Sequence, residues 1–525
     1  MPAAIIELAL EALRPGTREA LLAHDVVSVD DAGPHTRVRP TSLTPFVIDA
    51  AVRRVGLTAA PAGYTRDLAD EDAAFLRELF EKVPRRETDS ARPNASLLRI
   101  AEQASQNERE LNELVKGYRC FKALMRSRRP MSVEEIARHP EVRLTPETVE
   151  KAASALIEQG FIRTASESRS FELDDSEHCV LGINISRDLG SVTKLDQLED
   201  DYQGVLIGGV ITNLRADVQH YERVRVGTLD PKSITEEIVK VIFALLGIAE
   251  SLGYRNVIGT GVELGGHIAS GEVILSPNLG WSNVSLGENL YAQTGIFTVV
   301  ENDVNAIAIF EDWFGQALDR NPIVVIAVRD GIGGGLVVDK KLVHGANGIA
   351  GEIGHVIVDP SGRPCRCGGR GCLESVASTS AMLSIVREVT GMDLTLGAAT
   401  ALADSEEGAE AATVFTRAGE FLGRVVAMLL NVINPAYVLL TGPAELMEAE
   451  TRCGQAYRRT VLETCQAGAF PTALDNAKIL WTKLSDETGA TGAAAAVLQE
   501  LAKEPLVWPE VPLDGQQLSR IGIPE

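Results

Sequence analysis

Gly351-Glu-Ile-Gly-His355 is followed ten residues later by Cys365-Arg-Cys-Gly-Gly-Arg-Gly-Cys-Leu-Glu374, and no other stretch of the 525-residue chain constrains the fold as tightly. One imidazole and three thiolates, from His355, Cys365, Cys367 and Cys372, form a Cys3His donor set. Such a set closes a tetrahedral Zn2+ shell with no position left for water, so the metal expected here is structural. Gly368, Gly369 and Gly371 supply the turns that bring the sulfurs together. The seven cysteines are odd in number and three of them crowd into eight residues. That pattern suits a metal site in a reducing compartment better than a disulfide framework.

Upstream, Val299-Val-Glu-Asn-Asp-Val-Asn305 reads as a strand end that delivers Asn302 and Asp303 to the opening of a helix. An Asn–Asp pair there can hold two hydroxyls of a polyol, with the carboxylate able to take a proton from one. The same dipeptide is also ordinary turn chemistry. Gly331-Ile-Gly-Gly-Gly335 follows the apolar run Ile323–Val328. Its backbone could approach a phosphate, which makes Gly331, Gly333 and Gly334 candidate cofactor-binding positions, and it equally suits a tight hairpin. Around these motifs the apolar strands Val180–Ile185, Gly204–Thr212, Val257–Val262 and Tyr437–Leu440 alternate with the helical patterns Ser233–Leu252, Val304–Phe314 and Ala409–Ile433. The alternation predicts an α/β body over 176–525, divided into two lobes with a cleft.

Taken together, these residues resemble the ROK family of repressors and sugar kinases. The resemblance runs from about Val180 to Ala495 and includes Ser276-Pro-Asn-Leu-Gly-Trp281, Glu301–Asp303, the Gly331–Gly335 run, His344-Gly-Ala-Asn-Gly348, Gly351–His355, the Cys365–Glu374 loop, Asn434-Pro435 and Gly489–Ala495. It implies an actin-like, two-lobed sugar-kinase fold in which Asn302, Asp303, Glu352, His355 and Glu374 grip a sugar. Gly266 and Asn278 would be further members of the pocket, and Asp303 matches the catalytic base of the kinases. In the family the zinc-bound histidine also faces the sugar, so the loop from 355 to 374 would be ordered by its metal.

One half of the kinase pattern is missing. Kinases of the family open their body with Asp-x-Gly-Gly-Thr, which places Mg2+-ATP; the equivalent stretch here is Leu181-Gly-Ile-Asn184-Ile-Ser-Arg-Asp-Leu-Gly190, without the acid, the glycine pair or the threonine. Arg329-Asp330 stand where kinases tend to have Gly-Thr. Phosphoryl transfer depends on positioning and charge neutralisation, so these losses are costly in rate. The resemblance therefore points to the repressor branch.

The segment before the body supports that direction. Ser132 and Glu135 form a capping box at Met131–Arg138. Thr145 and Pro146 then open a second helix whose apolar positions Val149, Ala152, Ala153, Leu156 and Ile157 recur on one face up to Gly160, before a strand at Phe161–Thr164. That order is the pattern of a winged helix-turn-helix, placed at 105–175, with Arg143, Thr145, Thr148 and Lys151 as candidate DNA contacts. A helical hairpin used for packing gives the same pattern, and Glu147 and Glu150 at the start of the second helix repel phosphates. A long helix is predicted over Leu97–Arg126, and residues 1–104 read as a mainly helical extension, with patches at Ala3–Leu13, Pro45–Val55 and Asp70–Val83 joined through connections such as Gly33–Pro40.

The formal net charge is −23, which as a uniform surface would repel nucleic acid. It is not uniform. Residues 1–104 carry 13 basic and 16 acidic side chains, 105–164 carry 11 and 9, and 165–525 carry 26 and 48. The one positive segment is the helix-turn-helix, through Arg126, Arg128, Arg129, Arg138, Arg143 and Lys151. No apolar run is long enough to span a bilayer and the N-terminus lacks a signal-type pattern, so a soluble cytoplasmic protein is expected. The expected function is a sugar-responsive DNA-binding regulator acting as a homodimer or higher oligomer. Its effector would be a hexose or N-acetylhexosamine. The alternatives are an ATP-dependent sugar kinase and a sugar sensor that acts through a protein partner.

Overall fold

A computed structural model describes residues 27–30, 37–40, 116–127, 129–166, 169–187, 204–269, 271–318, 320–502 and 511–512. The described residues form two compact units, one reaching to Glu177 and one beginning at His178.

In the first unit, strands β1 (Val27–Asp30) and β2 (Arg37–Pro40) pair antiparallel. Sequence reading treated Gly33–Pro40 as a connection, but Val38 and its neighbours form a strand. The helical patches at 3–13, 45–55 and 70–83 and most of the predicted helix before residue 116 lie outside the described residues. Residues 116–126 are helical. They are followed by β3 (Met131–Ser132), helix Val133–Arg138, helix Pro146–Glu158, β4 (Ile162–Thr164) and β5 (Ser170–Leu173). The three strands form one antiparallel sheet in the order β3-β5-β4. Both helix starts follow from their caps. Ser132 and Glu135 make the reciprocal capping box, and the Thr145 hydroxyl accepts the Thr148 N–H ahead of Pro146. Val149, Ala152, Ala153 and Leu156 are buried, and the Phe121 and Phe161 rings meet edge to face at 5.5 Å. Ile157, expected on the same face, is 38% exposed, because 3.6 residues per turn carry it past the edge of the buried stripe.

The second unit contains one topology twice. In its first lobe, β6 (His178–Arg187), β7 (Val205–Thr212), β8 (Val218–Val226), β9 (Asn256–Leu264) and β13 (Thr298–Asn302) lie in the order β8-β7-β6-β9-β13. In its second, β14 (Ile323–Val328), β15 (Ile332–Val338), β16 (Lys341–Leu342), β17 (Tyr437–Gly442) and β18 (Lys478–Lys483) lie in the order β16-β15-β14-β17-β18. Each is a 3-2-1-4-5 sheet whose first three strands form an antiparallel meander and whose last two run parallel to the first. The central strands are buried on both faces, which accounts for their continuous apolar runs. A separate three-stranded sheet of β10 (His267–Ala269), β11 (Glu272–Ser276) and β12 (Trp281–Val284) follows β9.

The lobes exchange helices. Helix Asp303–Trp313 leaves the first sheet and packs Val304, Ile307 and Ala308 against Ile323, Val325 and Val337 of the second. Helix Asp486–Leu501 follows the last strand of the second sheet and lies on the first. A Cβ on Gly182 would fall 1.9 Å from Ala490 O, and one on Gly261 would fall 1.8 Å from Ala493 O. The two helices cross where Gly492 meets Ala306, so closely that a Cβ on Gly492 would fall 2.9 Å from the Ala306 backbone carbon. Among the described residues, no helix is long and apolar enough to cross a membrane.

Candidate metal centre and the cleft beside it

Strand β15 leads through β16 to a loop that ends in the short 3-10 turn Ile353–His355, and the Cys365–Cys372 turn folds back beside it through bridges at Ile357–Cys372 and Pro364–Arg370. One donor atom from each of His355, Cys365, Cys367 and Cys372 lies within 4.8 Å of the others. Cys365 Sγ is 3.6 Å from His355 Nδ1, and Cys367 Sγ is 3.7 Å from Cys372 Sγ. A tetrahedral zinc with bonds of about 2.3 Å to sulfur and about 2.0–2.1 Å to nitrogen requires edges of about 3.8 Å between sulfurs and about 3.5 Å between sulfur and nitrogen. These two separations have the lengths such an ion needs. Gly371, at φ 72°, lies so close to Asp359 O that a Cβ would fall 1.6 Å from it, so the turn needs glycine there.

The other ring nitrogen of His355, Nε2, lies 3.7 Å from Glu352 Oε2. Burial pushes the Glu352 carboxyl up; Glu374 and Asp303 push the same way, and His355 and His267 oppose them. These groups thus share one electrostatic neighbourhood. Glu374 opens helix Glu374–Ala377, accepts the Ile332 N–H at 3.2 Å and lies 3.8 Å from Arg366.

The carboxyl ends of β9 and β13, where ligands of parallel α/β sheets bind, join this neighbourhood through Asp303. Asp303 Oδ1 accepts the Val304 N–H at 3.0 Å and its Oδ2 is 3.6 Å from the Arg329 guanidinium. Asn278 does come into this group: a Cβ built on Gly265 would lie 3.5 Å from Asp303 Oδ2 and 3.6 Å from Asn278 Nδ2. Asn302 also has a structural role. Its Oδ1 caps the helix by accepting from Val304 and Asn305, and its Nδ2 donates to Gly266 O at 2.9 Å, so only one amide hydrogen is left for another partner. Gly266 itself, at φ 141°, contributes that carbonyl.

The Gly331–Gly335 run forms the β14–β15 hairpin, with the Arg329 N–H donating to Gly331 O. Close packing requires glycine at three of these positions. A Cβ on Gly333 would strike Val304, one on Gly334 the Gly351 carbonyl, and one on Gly331 the Glu374 carboxylate.

Sequence reading missed several members. Two histidines tie the loop after β16 to the first lobe: His344 Nε2 lies 3.0 Å from Glu301 Oε2, and His267 Nε2 lies against the Asn347 carbonyl at 2.5 Å. Burial raises the Glu301 carboxyl, but the His344 contact and the Asn305 and Asn302 N–H groups outweigh it and hold it below the usual range. Glu263 was also overlooked, although a charged residue in the uncharged, mainly apolar run Val257–Leu264 is a visible signal. It is 1% exposed and its Oε1 accepts a short hydrogen bond from Asn184 Nδ2.

In the first unit, Arg143 (at φ 48°), Thr145 and Lys151 are exposed and Thr148 is half-buried, all around the start of helix Pro146–Glu158. The Thr145 hydroxyl is engaged with Thr148 as a cap. The acidic start of this helix is answered from the β4–β5 hairpin. Arg169 donates to Glu150 at 2.6 and 2.9 Å and lies 3.4 Å from Glu134.

A family-wide sequence model described as the ROK family matches residues 202–500, more than half of the chain. The chain belongs to the ROK family. Among its relatives, the xylose repressor of Caldicellulosiruptor bescii is 26% identical over 381 residues, 69% of this chain and 91% of the repressor. The glucokinase of Thermotoga maritima is 31% identical over 246 residues, 44% of this chain and 76% of the kinase. A crystal structure of a ROK family transcriptional regulator, a homologue of the Escherichia coli MLC protein, superposes with a TM-score of 0.62 at 21% identity, covering 75% of this chain and 97% of that one. That likeness is one of fold, and it places the ROK body on the two-lobed α/β architecture described above.

Proposed function

We propose that this ROK protein is a sugar-responsive, DNA-binding transcriptional regulator. One observation carries the reading: the chain joins a cleft lined by Asp303, Glu352 and Glu374 to a capped helix pair with a β-hairpin whose arginine neutralises the second helix. The first unit is read as a winged helix-turn-helix. Helix Pro146–Glu158 enters the major groove, Arg143, Thr145, Thr148 and Lys151 meet the DNA, and the β4–β5 hairpin is the wing. Arg169 removes part of the objection that Glu150 raised. The body is read as the sensor, in which Asp303, Glu352, His355, Glu374 and Asn278 hold the hydroxyls of a hexose or N-acetylhexosamine, with Asn302 and Gly266 shaping the wall. The Cys3His set holds Zn2+, which fixes the loop that presents Glu352 and His355.

Similarity to a xylose repressor spans 69% of this chain and that to a glucokinase 44%, so the regulator likeness takes in more of the molecule. Asn184, the counterpart of the kinase acid, is bonded to Glu263, and Arg329 faces Asp303. The test is binding to DNA from immediately upstream of the protein's own gene, over a range of salt and with and without sugar. Affinity should fall steeply with salt and change with the sugar; absence of binding at low salt overturns the reading. The second reading, an ATP-dependent sugar kinase, is kept by the retained Asp303. Sugar phosphorylation with Mg2+-ATP, abolished by Asp303→Asn, would establish it.

A further inference from the structure

Arg329 follows β14 in the second lobe and Asp303 follows β13 in the first, so their 3.6 Å pairing joins the two lobes. Since Asp303 Oδ1 is held by the Val304 N–H, Oδ2 is the oxygen that Arg329 and an incoming sugar hydroxyl would both use. A second acceptor lies in the same field. Glu263, at the carboxyl end of β9, gives Oε1 to Asn184, while its Oε2 and the Asn184 Oδ1 are buried without a partner. The groups facing Glu263 are Asn184 from β6, Asp303 from the helix after β13, Arg329 from the end of β14, and Asp486 with Gly489 from the last helix.

Buried acceptors left without donors are costly. Burial pushes the Glu263 carboxyl up to about 8, with Asp303 adding to the rise and Arg329 opposing it. As the neutral acid, Glu263 can return an O–H to the Asn184 oxygen while accepting its N–H, which satisfies both groups. The ionised form would instead need a cation at Oε2, and Arg329 is the cation whose field reaches it.

We propose that Arg329 reports sugar occupancy: when a sugar hydroxyl takes Asp303 Oδ2, the guanidinium transfers from Asp303 to Glu263 Oε2. The proton on Glu263 leaves to solvent, Arg329 keeps its charge, and one ion pair replaces another. The exchange supplies two discrete arrangements that a sugar binds unequally, as coupling between sites requires. This rests on the sugar-sensor reading above and makes Arg329 and Glu263 positioning residues within it.

The test is titration calorimetry of the full chain at pH 7 with D-glucose, D-xylose and N-acetylglucosamine, in two buffers of different ionisation enthalpy. In the wild type, the sugar that binds should release a large fraction of one proton. Glu263→Gln should abolish that release and weaken binding about fivefold, because the guanidinium loses its second position. Arg329→Gln should tighten binding about fivefold, because a competitor for Asp303 is gone; both factors correspond to one ordinary ion pair. Both variants should reduce the effect of sugar on DNA affinity. A general packing defect would weaken binding in both, so opposite signs identify the exchange. If Arg329→Gln does not fold, Asp303→Asn frees the same guanidinium from the other side and should move the sugar-free DNA affinity toward the sugar-bound value. Sugar binding without proton release, or equal weakening by the two variants, overturns the exchange alone. If none of the three sugars binds the wild type, the sensor reading fails and the exchange fails with it.

Discussion

His355 turns Nδ1 toward Cys365 Sγ at 3.6 Å, which leaves its other nitrogen for the cleft, 3.7 Å from Glu352. One ring thus joins the thiolate cluster to a carboxylate of the proposed sugar site. Purified protein is expected to carry about one zinc per chain, and Cys367→Ser should lose both the metal and sugar affinity, the latter by about 10–100-fold. Metal content by mass spectrometry and sugar binding by calorimetry check this; unchanged zinc in the variant overturns the assignment.

On the nucleic-acid side, Lys151→Ala should lower DNA affinity by about the same factor on every sequence and reduce the salt slope by about 1, as loss of one phosphate contact does. Arg169→Ala should also weaken DNA binding, by exposing the charge of Glu150 and Glu134, while leaving sugar binding unchanged. Fluorescence anisotropy at several salt concentrations separates the two.

Glu263 sets a pH dependence of known sign. Its folded-state pKa is raised from 4.5 to about 8, so between those values the folded protein holds a proton that the unfolded chain has released. Stability from this group is therefore greatest at low pH and declines as pH rises from about 5 to about 8. Glu263→Gln removes that term. The stability difference, variant minus wild type, should grow over this window in urea denaturation; a flat difference refutes the raised pKa.

Gly182→Ala should destabilise the second unit by about 3 kcal/mol or more, because its new methyl would meet the Ala490 carbonyl of the exchanged helix, which is backbone and cannot rotate away. A shift in the urea midpoint of less than about 1 kcal/mol equivalent would show that the helix can slide.

Much of the body was legible in sequence because its strands are buried on both faces and read as apolar runs; Ile323–Val328 and helix Ala409–Ile433 match to the residue. The clustering of His355 with Cys365, Cys367 and Cys372 was legible because thiol spacing of this kind is specific. The capping role of Asn302 was not legible, because a strand-end amide looks alike in sequence whether or not its oxygen also accepts from the Val304 and Asn305 N–H groups. Asp303 and Arg329 stand out in sequence one at a time, but their pairing depends on how two sheets face each other, which no local pattern encodes. The Arg169 clamp was hidden for the same reason, since it lies 19 residues from Glu150.

The exchanged helices make the two lobes interdependent during folding. A fragment ending before residue 486 would leave the glycine-lined face of the first sheet around Gly182 and Gly261 bare, and one beginning after residue 313 would leave Ile323, Val325 and Val337 without their cover. Neither half is a self-sufficient domain despite its complete sheet. Truncations or split reporters of this body should therefore regain structure only when both pieces are present together.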